Sequence, residues 1–551
     1  PDKPFILVEY CHAMGNGPGD LEDYWEVILA DEHACGGFVW EWCDHTVLAG
    51  RDETGREIHL YGGDHGETVH DANFCVDGLV ASDRTPHAGL LELKNVQRPA
   101  RVVDYDQERG LVTLRNDLDF TDLDQYVRLS YEVRCDGAVV ESGPLELPGP
   151  VPPHSTVTLS CAPAVPDAGR CHLLITSRLR RQVPLLEPGH ELGFDEIPLA
   201  NADPRHRAVA KALGPVAEAL EAGADVAARP NGAVGCADPA GAVGAGSAVG
   251  AGSAADAADA VRDGCETTLT GGDLTVVVDT RSGLPRSLRV GDRELLDRPM
   301  ELNIWRAPTD NDRHIRRQWE RAGYDRAGAQ AYSTRIIRRR GAVAVHAEMS
   351  VSATALQPAL RVRAVWTVTE SGELAVNLRA RKSEGFPCLP RFGLRLFLPS
   401  SMHQVAYYGL GPGESYIDKH RSCHHDEFRT TVAELHEGCI RPQESGSRAD
   451  CDYVTLSDGD LGLTAVGLRP FSFNVSAYIQ EELTRTAHDV ELAQCGSTVL
   501  CLDGAMAGIG SASCGPELRP EYRVDGGALG LDLVLLPTLF SPVPAQHNEV
   551  N

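Results

Sequence analysis

The sequence predicts a multidomain protein that is α/β over its first hundred or so residues and all-β thereafter. Three observations carry that expectation. The chain opens with strand, loop, helix and strand in turn, one βα repeat. From about residue 100 the pattern changes to short apolar strands separated by polar turns. A stretch built of Ala, Gly, Pro and Asp then separates two such all-β regions. A length of 551 residues, at roughly 100–200 per domain, suggests about three to five domains.

Phe5-Ile6-Leu7-Val8 is a continuous apolar run, as expected of a parallel strand buried on both faces. Gly15-Asn16-Gly17-Pro18-Gly19 is a loop. Asp20 is the expected N-cap of a helix over Leu21–Ala30, acidic in its first turn. Gly36-Gly37-Phe38-Val39-Trp40 is the next strand, and an apolar helix over 87–96 closes the region, taken as 1–98. Over 99–200, Val102-Val103, Leu111-Val112-Thr113-Leu114 and the stretches 127–133 and 156–159 read as strands of an immunoglobulin-like β-sandwich. The hexapeptide Ala-Val-Gly-Ala-Gly-Ser occurs at 242–247 and again at 248–253. The stretch 201–262 therefore reads as a flexible linker or insertion, with too few bulky apolar side chains to offset its ordering entropy. Leu274-Thr275-Val276-Val277-Val278 and Leu374-Ala375-Val376-Asn377-Leu378 typify 263–551, which predicts a large two-sheet β-sandwich.

A formal charge of −28 repels nucleic acid and anionic membrane, and both are discounted as partners; a neutral substrate such as a sugar is compatible with it. The sixteen cysteines form no C-x-x-C pair. They read as buried thiols in a reducing compartment, and a cytoplasmic location is expected. Cys423-His424-His425-Asp426 is the nearest approach to a metal cluster, but adjacent side chains diverge. No apolar run reaches the ~20 residues of a membrane span. The chain opens on Pro1 at the brink of a hydrophobic strand, which suggests a fragment whose N-terminal part is missing.

Glu9 follows the first apolar run, where a buried strand opens into a loop. At the C-terminal rim of a (β/α)₈ barrel that is where active sites are built; taken alone, it reads sooner as a solvated strand-end carboxylate. The residues around it go further. Glu9-Tyr10-Cys11-His12-Ala13-Met14-Gly15-Asn16 closely resembles the nucleophile signature of glycoside hydrolase family 2. Gly37-Phe38-Val39-Trp40-Glu41-Trp42 resembles the strand that follows it. Phe74-Cys75-Val76-Asp77-Gly78-Leu79-Val80 with Asp83-Arg84-Thr85-Pro86-His87 resembles the end of the family's barrel. Asn303-Ile304-Trp305-Arg306-Ala307-Pro308-Thr309-Asp310-Asn311-Asp312, Gly409-Leu410-Gly411-Pro412-Gly413-Glu414-Ser415-Tyr416 and Phe471-Ser472-Phe473-Asn474-Val475-Ser476 resemble the last domain of the β-galactosidases.

The resemblance implies the C-terminal remnant of a TIM barrel, a β-sandwich, and a C-terminal sandwich of the β-galactosidase small-chain type. It implies a retaining hydrolase of terminal β-galactosides, with Glu9 as nucleophile and a second carboxylic acid about 5–5.5 Å away. In the family that acid follows an Asn on an earlier strand, and neither Glu41 nor Asp44 matches it. His12 would bind sugar hydroxyls and Trp40 would form an apolar wall, with Trp42 in packing. Asp77 would contact the sugar and, with the Phe74 carbonyl, hold a monovalent cation such as Na⁺. The family's Mg²⁺ ligands lie upstream, and His70 stands where some relatives place an Asn at a further magnesium site. Val499 stands where some relatives stack a second sugar on Trp, and Cys514 replaces a usual Trp, which suggests a packing defect. Competing readings are a family 2 hydrolase of other sugar preference and a non-catalytic carbohydrate-binding or complementing subunit of a split enzyme. A homo-oligomer or a complementing N-terminal half is a possible partner.

Overall fold

The computed structural model describes residues 3–216 and 258–539. Strand β1 (Phe5–Tyr10) leads through a loop into helix α1 (Leu21–Ala30) and back to β2 (Ala34–Val39), which pairs parallel with β1. Helix α2 (Ala88–Val96) packs against α1. Tyr10, Cys11, Leu21 and Val96 form a small core, with Leu7, Tyr24, Trp25, Val39 and Leu93 around it. The boundaries of α1 and α2 agree with the periodicity of the sequence.

Two local expectations fail here. The apolar run is a parallel strand, but it is not buried on both faces: Phe5 is 57% and Val8 77% exposed. Burial of a parallel strand needs a neighbour on each edge and a helix on each face; among the described residues β1 has only β2. Asp20 does not cap α1. Its backbone is left-handed (φ 49°) and its carboxylate turns inward, accepting from Cys11 Sγ at 3.4 Å and Ser511 Oγ at 3.3 Å. Burial, with the Asp418 charge added, pushes its pKa up to about 7.

Next come two antiparallel sheets. One has Ala100–Asp106, Leu111–Asn116 and Thr156–Ser160; the other runs Glu191–Leu199, Cys171–Leu179, Val127–Cys135, Ala138–Leu145. Val112, Leu114, Val127, Val133, Leu173 and Ile175 fill the core they share. Alternation of buried and open positions, as in Leu111–Asn116, is the period-two pattern of strands with one wet face.

The stretch read as a linker begins with ordered structure. Helix Arg207–Leu213 follows a buried His206, and Val216 packs on Ala375 and Val534. Asp259–Asp263, which straddles the end of that stretch, is a strand. The few apolar residues at its two ends, Val209, Val216 and Ala260, are the ones that find a core. The repeated hexapeptides lie outside the described residues.

The remainder is a five-stranded sheet from Asp259–Asp263 to Arg293–Glu294 and a twelve-stranded sheet. A single apolar core runs between them, with Trp305, Trp319, Trp366, Phe392 and Phe473 among its large side chains. Among the described residues no helix is long and apolar enough to cross a membrane.

Candidate active site

Side chains alternate along β1. Tyr10 turns into the core, where Trp25 Nε1 donates to its hydroxyl at 3.0 Å. Glu9 therefore faces out, its side chain about half exposed. The chain then folds under itself: Cys11 takes a positive φ of 47°, and His12 is buried at 3% exposure. His12 Nε2 lies 3.8 Å from Glu9 Oε1 and 3.7 Å from Asp77 Oδ2. Both separations exceed hydrogen-bond length, and Nδ1 has no partner. Burial lowers the His12 pKa below its ordinary value, against the opposing charges of Glu9 and Glu41, so the ring is neutral at pH 7. The ring packs against Phe74 at 5.9 Å between centroids.

Trp40 follows β2. Its carbonyl accepts from the Ala13 amide at 2.7 Å, and its Nε1 donates to Asp77 Oδ2 at 3.1 Å. Burial, then the nearby Glu41 carboxylate, pushes Asp77 up to about 7. Its Oδ1 is buried with no partner. A buried orphan carboxylate oxygen is costly unless something neutralises it, and an oxygen-seeking cation fits that need. The five predicted positions, Glu9, His12, Trp40, Phe74 and Asp77, thus come together at one place. Among the described residues, the two groups of three metal-capable side chains each contain His, and neither is the all-oxygen set that magnesium takes. His70 spends its Nδ1 accepting from the Ala72 amide.

Asp44 is structural, with Gly78 N donating to it at 2.8 Å and His87 Nε2 at 2.9 Å. Trp42 is not packing; it is 61% exposed, more than Trp40 at 42%. Val499 is buried in strand Ser497–Met506 against Phe397 and Cys501 and cannot reach a sugar. Cys514 is no packing defect either. It is exposed and brings its sulfur within 4.8 Å of ligand atoms of Glu9 and His12. Burial and then the Glu9 charge hold its thiol above the usual range.

The loop after Glu9 is clamped from the far end of the chain. Asn16 Nδ2 donates to Glu444 O at 2.9 Å and to Tyr416 Oη at 3.3 Å. Lys419 Nζ donates to Asn16 Oδ1 at 2.8 Å and to Glu414 at 2.6 Å. Gln443 Oε1 accepts from the Asn16 amide at 3.1 Å. Gly15, at φ +60°, lies so close that a Cβ there would sit 2.4 Å from the Gln443 amide and 2.5 Å from Asp310 Oδ2. The Phe74 loop is held the same way: Asn73 Nδ2 donates to Asp310 Oδ2 at 3.0 Å and Arg441 donates to Asn73 Oδ1 at 2.6 Å. Arg313 stacks on the Phe74 ring.

Residues 1–102 match the family model described as glycosyl hydrolases family 2, TIM barrel domain. Residues 112–200 match β-galactosidase, domain 4, and 270–535 match the β-galactosidase small chain. Over the candidate site the chain is thus similar to the barrel domain of glycosyl hydrolase family 2. Among similar proteins, a β-galactosidase of Actinobacillus pleuropneumoniae is 36% identical over 95% of this chain and 46% of its own length. That of Staphylococcus xylosus is 34% identical over 95% and 48%, and that of Arthrobacter sp. (strain B7) 30% over 95% and 49%. The chain spans about half the length of the curated relatives it matches, corresponding to the C-terminal half of a large β-galactosidase.

The sequence motifs named the residues gathered here but not what holds them. Asn16, Asp310, Glu414 and Tyr416 all sit in the quoted motifs, so the signal was present without its meaning. Arg313, directly after one such motif, and Cys514, noted only as a replaced Trp, reach the same site.

Proposed function

We propose that this chain forms part of a retaining β-galactosidase in which Glu9 is the nucleophile. The observation that carries the reading is an exposed carboxylate at a parallel strand's C-terminal end, faced by a buried imidazole whose Nδ1 has no partner and by a buried carboxyl group. Glu9 attacks the anomeric carbon and the glycosidic C–O bond breaks, giving a glycosyl-enzyme intermediate that water then hydrolyses. The acid that protonates the leaving oxygen belongs, in this reading, to the half of the relatives' length that the chain does not span. His12, neutral and free at Nε2, bonds a sugar hydroxyl in the gap between Glu9 and Asp77. The half-exposed indole of Trp40, fixed by Asp77, offers an apolar wall to the galactose ring. Asp77 and the Phe74 carbonyl are the groups that would hold a monovalent cation, which would supply positive charge beside sugar oxygens.

The same reading takes 1–98 as the end of a TIM barrel, 99–200 as an immunoglobulin-like sandwich, and 263–551 as the small-chain-type sandwich that braces the nucleophile loop. A cytoplasmic location belongs to this reading as well. The test is Glu9→Gln in the complete polypeptide. Turnover of a nitrophenyl β-galactoside should fall by roughly 10⁴-fold or more, and a mechanism-based fluorosugar should label Glu9. Near-normal turnover, or label on another carboxylate, would remove Glu9 from the role.

A further inference from the structure

Two groups of side chains among the described residues bring three metal-capable atoms together: Glu9, His12 and Cys514, and His172, Glu196 and His425. They differ in what those atoms are free to do. The His172 and His425 rings are stacked with 1° between their planes. Ring lone pairs lie in the ring plane, so parallel stacked rings cannot converge on one ion. His425 also has both nitrogens at carboxylates, 2.7 Å from Glu196 and 2.7 Å from Asp450. That group is an ion-paired junction.

The first group has none of these obstacles. His12 is 3% exposed, its Nδ1 has no hydrogen-bond partner, and its Nε2 lies beyond hydrogen-bond length of Glu9 and Asp77. Nε2 faces the Glu9 carboxylate across 3.8 Å. Cys514 closes the third side. Its backbone is held on both flanks: Ser513 N donates to Asn311 Oδ1 at 3.0 Å, Arg313 donates to Ser513 O at 2.9 Å, and Gly515 N donates to Ser511 O at 2.8 Å. The three ligand atoms lie within 4.8 Å of one another on preorganised backbone.

We propose that Glu9, His12 and Cys514 form a binding site for a thiophilic divalent cation, Zn²⁺ fitting best, that blocks the sugar site when filled. One thiolate, one imidazole and one carboxylate are the donor types zinc takes in tetrahedral sites, with a fourth position left for water. On binding, the Cys514 thiol gives its proton to solvent and the thiolate, imidazole and carboxylate each donate an electron pair; nothing is oxidised. The site is chemically distinct from the oxygen site at Asp77, because a hard monovalent cation gains little from sulfur. The metal-binding part stands on geometry alone; the blocking part rests on the proposed role of Glu9.

The probe is Co²⁺, titrated into the 551-residue chain and displaced by Zn²⁺. One equivalent should produce a thiolate-to-cobalt charge-transfer band. Cys514→Ser should abolish the band and weaken Zn²⁺ binding about 100-fold or more, since loss of even an outer-sphere partner costs 10–100-fold. His12→Gln should weaken it comparably, and substitution of the exposed Cys35 or Cys265 should leave it intact. A band that survives Cys514→Ser, or no band in the unsubstituted chain, overturns the site. In the complete polypeptide Zn²⁺ should inhibit competitively with substrate, and Cys514→Ser should relieve that inhibition. Cobalt binding that depends on Cys514, alongside full turnover by Glu9→Gln, would support the metal site while sinking the nucleophile assignment. Fluorosugar label on Glu9 with no Cys514-dependent band would do the reverse.

Discussion

Lys419 offers the sharpest test of how the loop after Glu9 is held. Its ammonium is buried, lies 2.6 Å from Glu414, and donates to Asn16 Oδ1 at 2.8 Å. Burial alone would lower its pKa, but the Glu414 carboxylate more than reverses that and holds it above the ordinary value. At this separation the attraction is on the order of 6 kcal/mol at an effective dielectric of about 20, and the desolvation of two ions consumes most of it. The pair itself is thus worth little, whereas breaking it is expensive. Lys419→Met leaves Glu414 buried with only the Gly446 amide, at 2.8 Å, as a remaining partner, which should cost about 3–5 kcal/mol. Adding Glu414→Gln removes the stranded charge and keeps an acceptor for Gly446. The double variant should then recover all but about 1–3 kcal/mol, the remainder being the two lost bonds to Asn16, at its Oδ1 and its carbonyl. Urea unfolding, followed through the emission of buried Trp305, Trp319 and Trp366, measures both. A Lys419→Met cost below about 1 kcal/mol, or a double variant whose cost equals the sum of the singles, would refute the argument.

Gly15→Ala should free the same loop: a left-handed Ala costs about 1–2 kcal/mol, and displacing the Gln443 amide costs about 0.5–1.5 kcal/mol per bond lost. Amide exchange at Asn16 and Gly17 should speed up about 100-fold, and a change under about tenfold would contradict the clash. Asp20→Asn should stabilise the chain at pH 8. The Asp20 pKa is raised to about 7 by burial first, so its contribution is present below the unfolded value and lost as pH rises through 7; at about 1.4 kcal/mol per unit, a few kcal/mol are at stake. A thermal scan showing no gain at pH 8 over pH 5 would refute it. At the sheet junction, burial opposes but Asp450 and Glu196 raise His425, with Arg170 opposing them, while burial lowers His172 to about 4. His425 therefore stabilises fully below pH 6.5 and less as pH rises through its raised value. His172 stabilises above 6.5 and loses this as pH falls toward 4. The Tm difference between the unsubstituted chain and His425→Gln should shrink above neutrality, and a constant difference would remove His425 from the pH response.

The order of elements, the boundaries of α1 and α2, and the positions of Glu9, His12, Trp40, Phe74 and Asp77 were all readable in the chain. Each rests on a local pattern: a periodicity, a turn composition, or a motif within about ten residues. What the tertiary structure alone decided is what those residues touch. The exposure of β1 depends on which strands and helices flank it, and an apolar run carries no record of its neighbours. Asp20 has a good cap's chemistry, but its left-handed backbone and the buried partners Cys11 and Ser511 took its carboxylate elsewhere. Asn16 meets partners 400 and 428 positions away, and Cys514 reaches Glu9 across the whole length of the chain. Hydrogen bonds and ion contacts act over a few ångströms of space whatever the distance along the polymer, so only the folded chain could say which far residues hold the Glu9 loop.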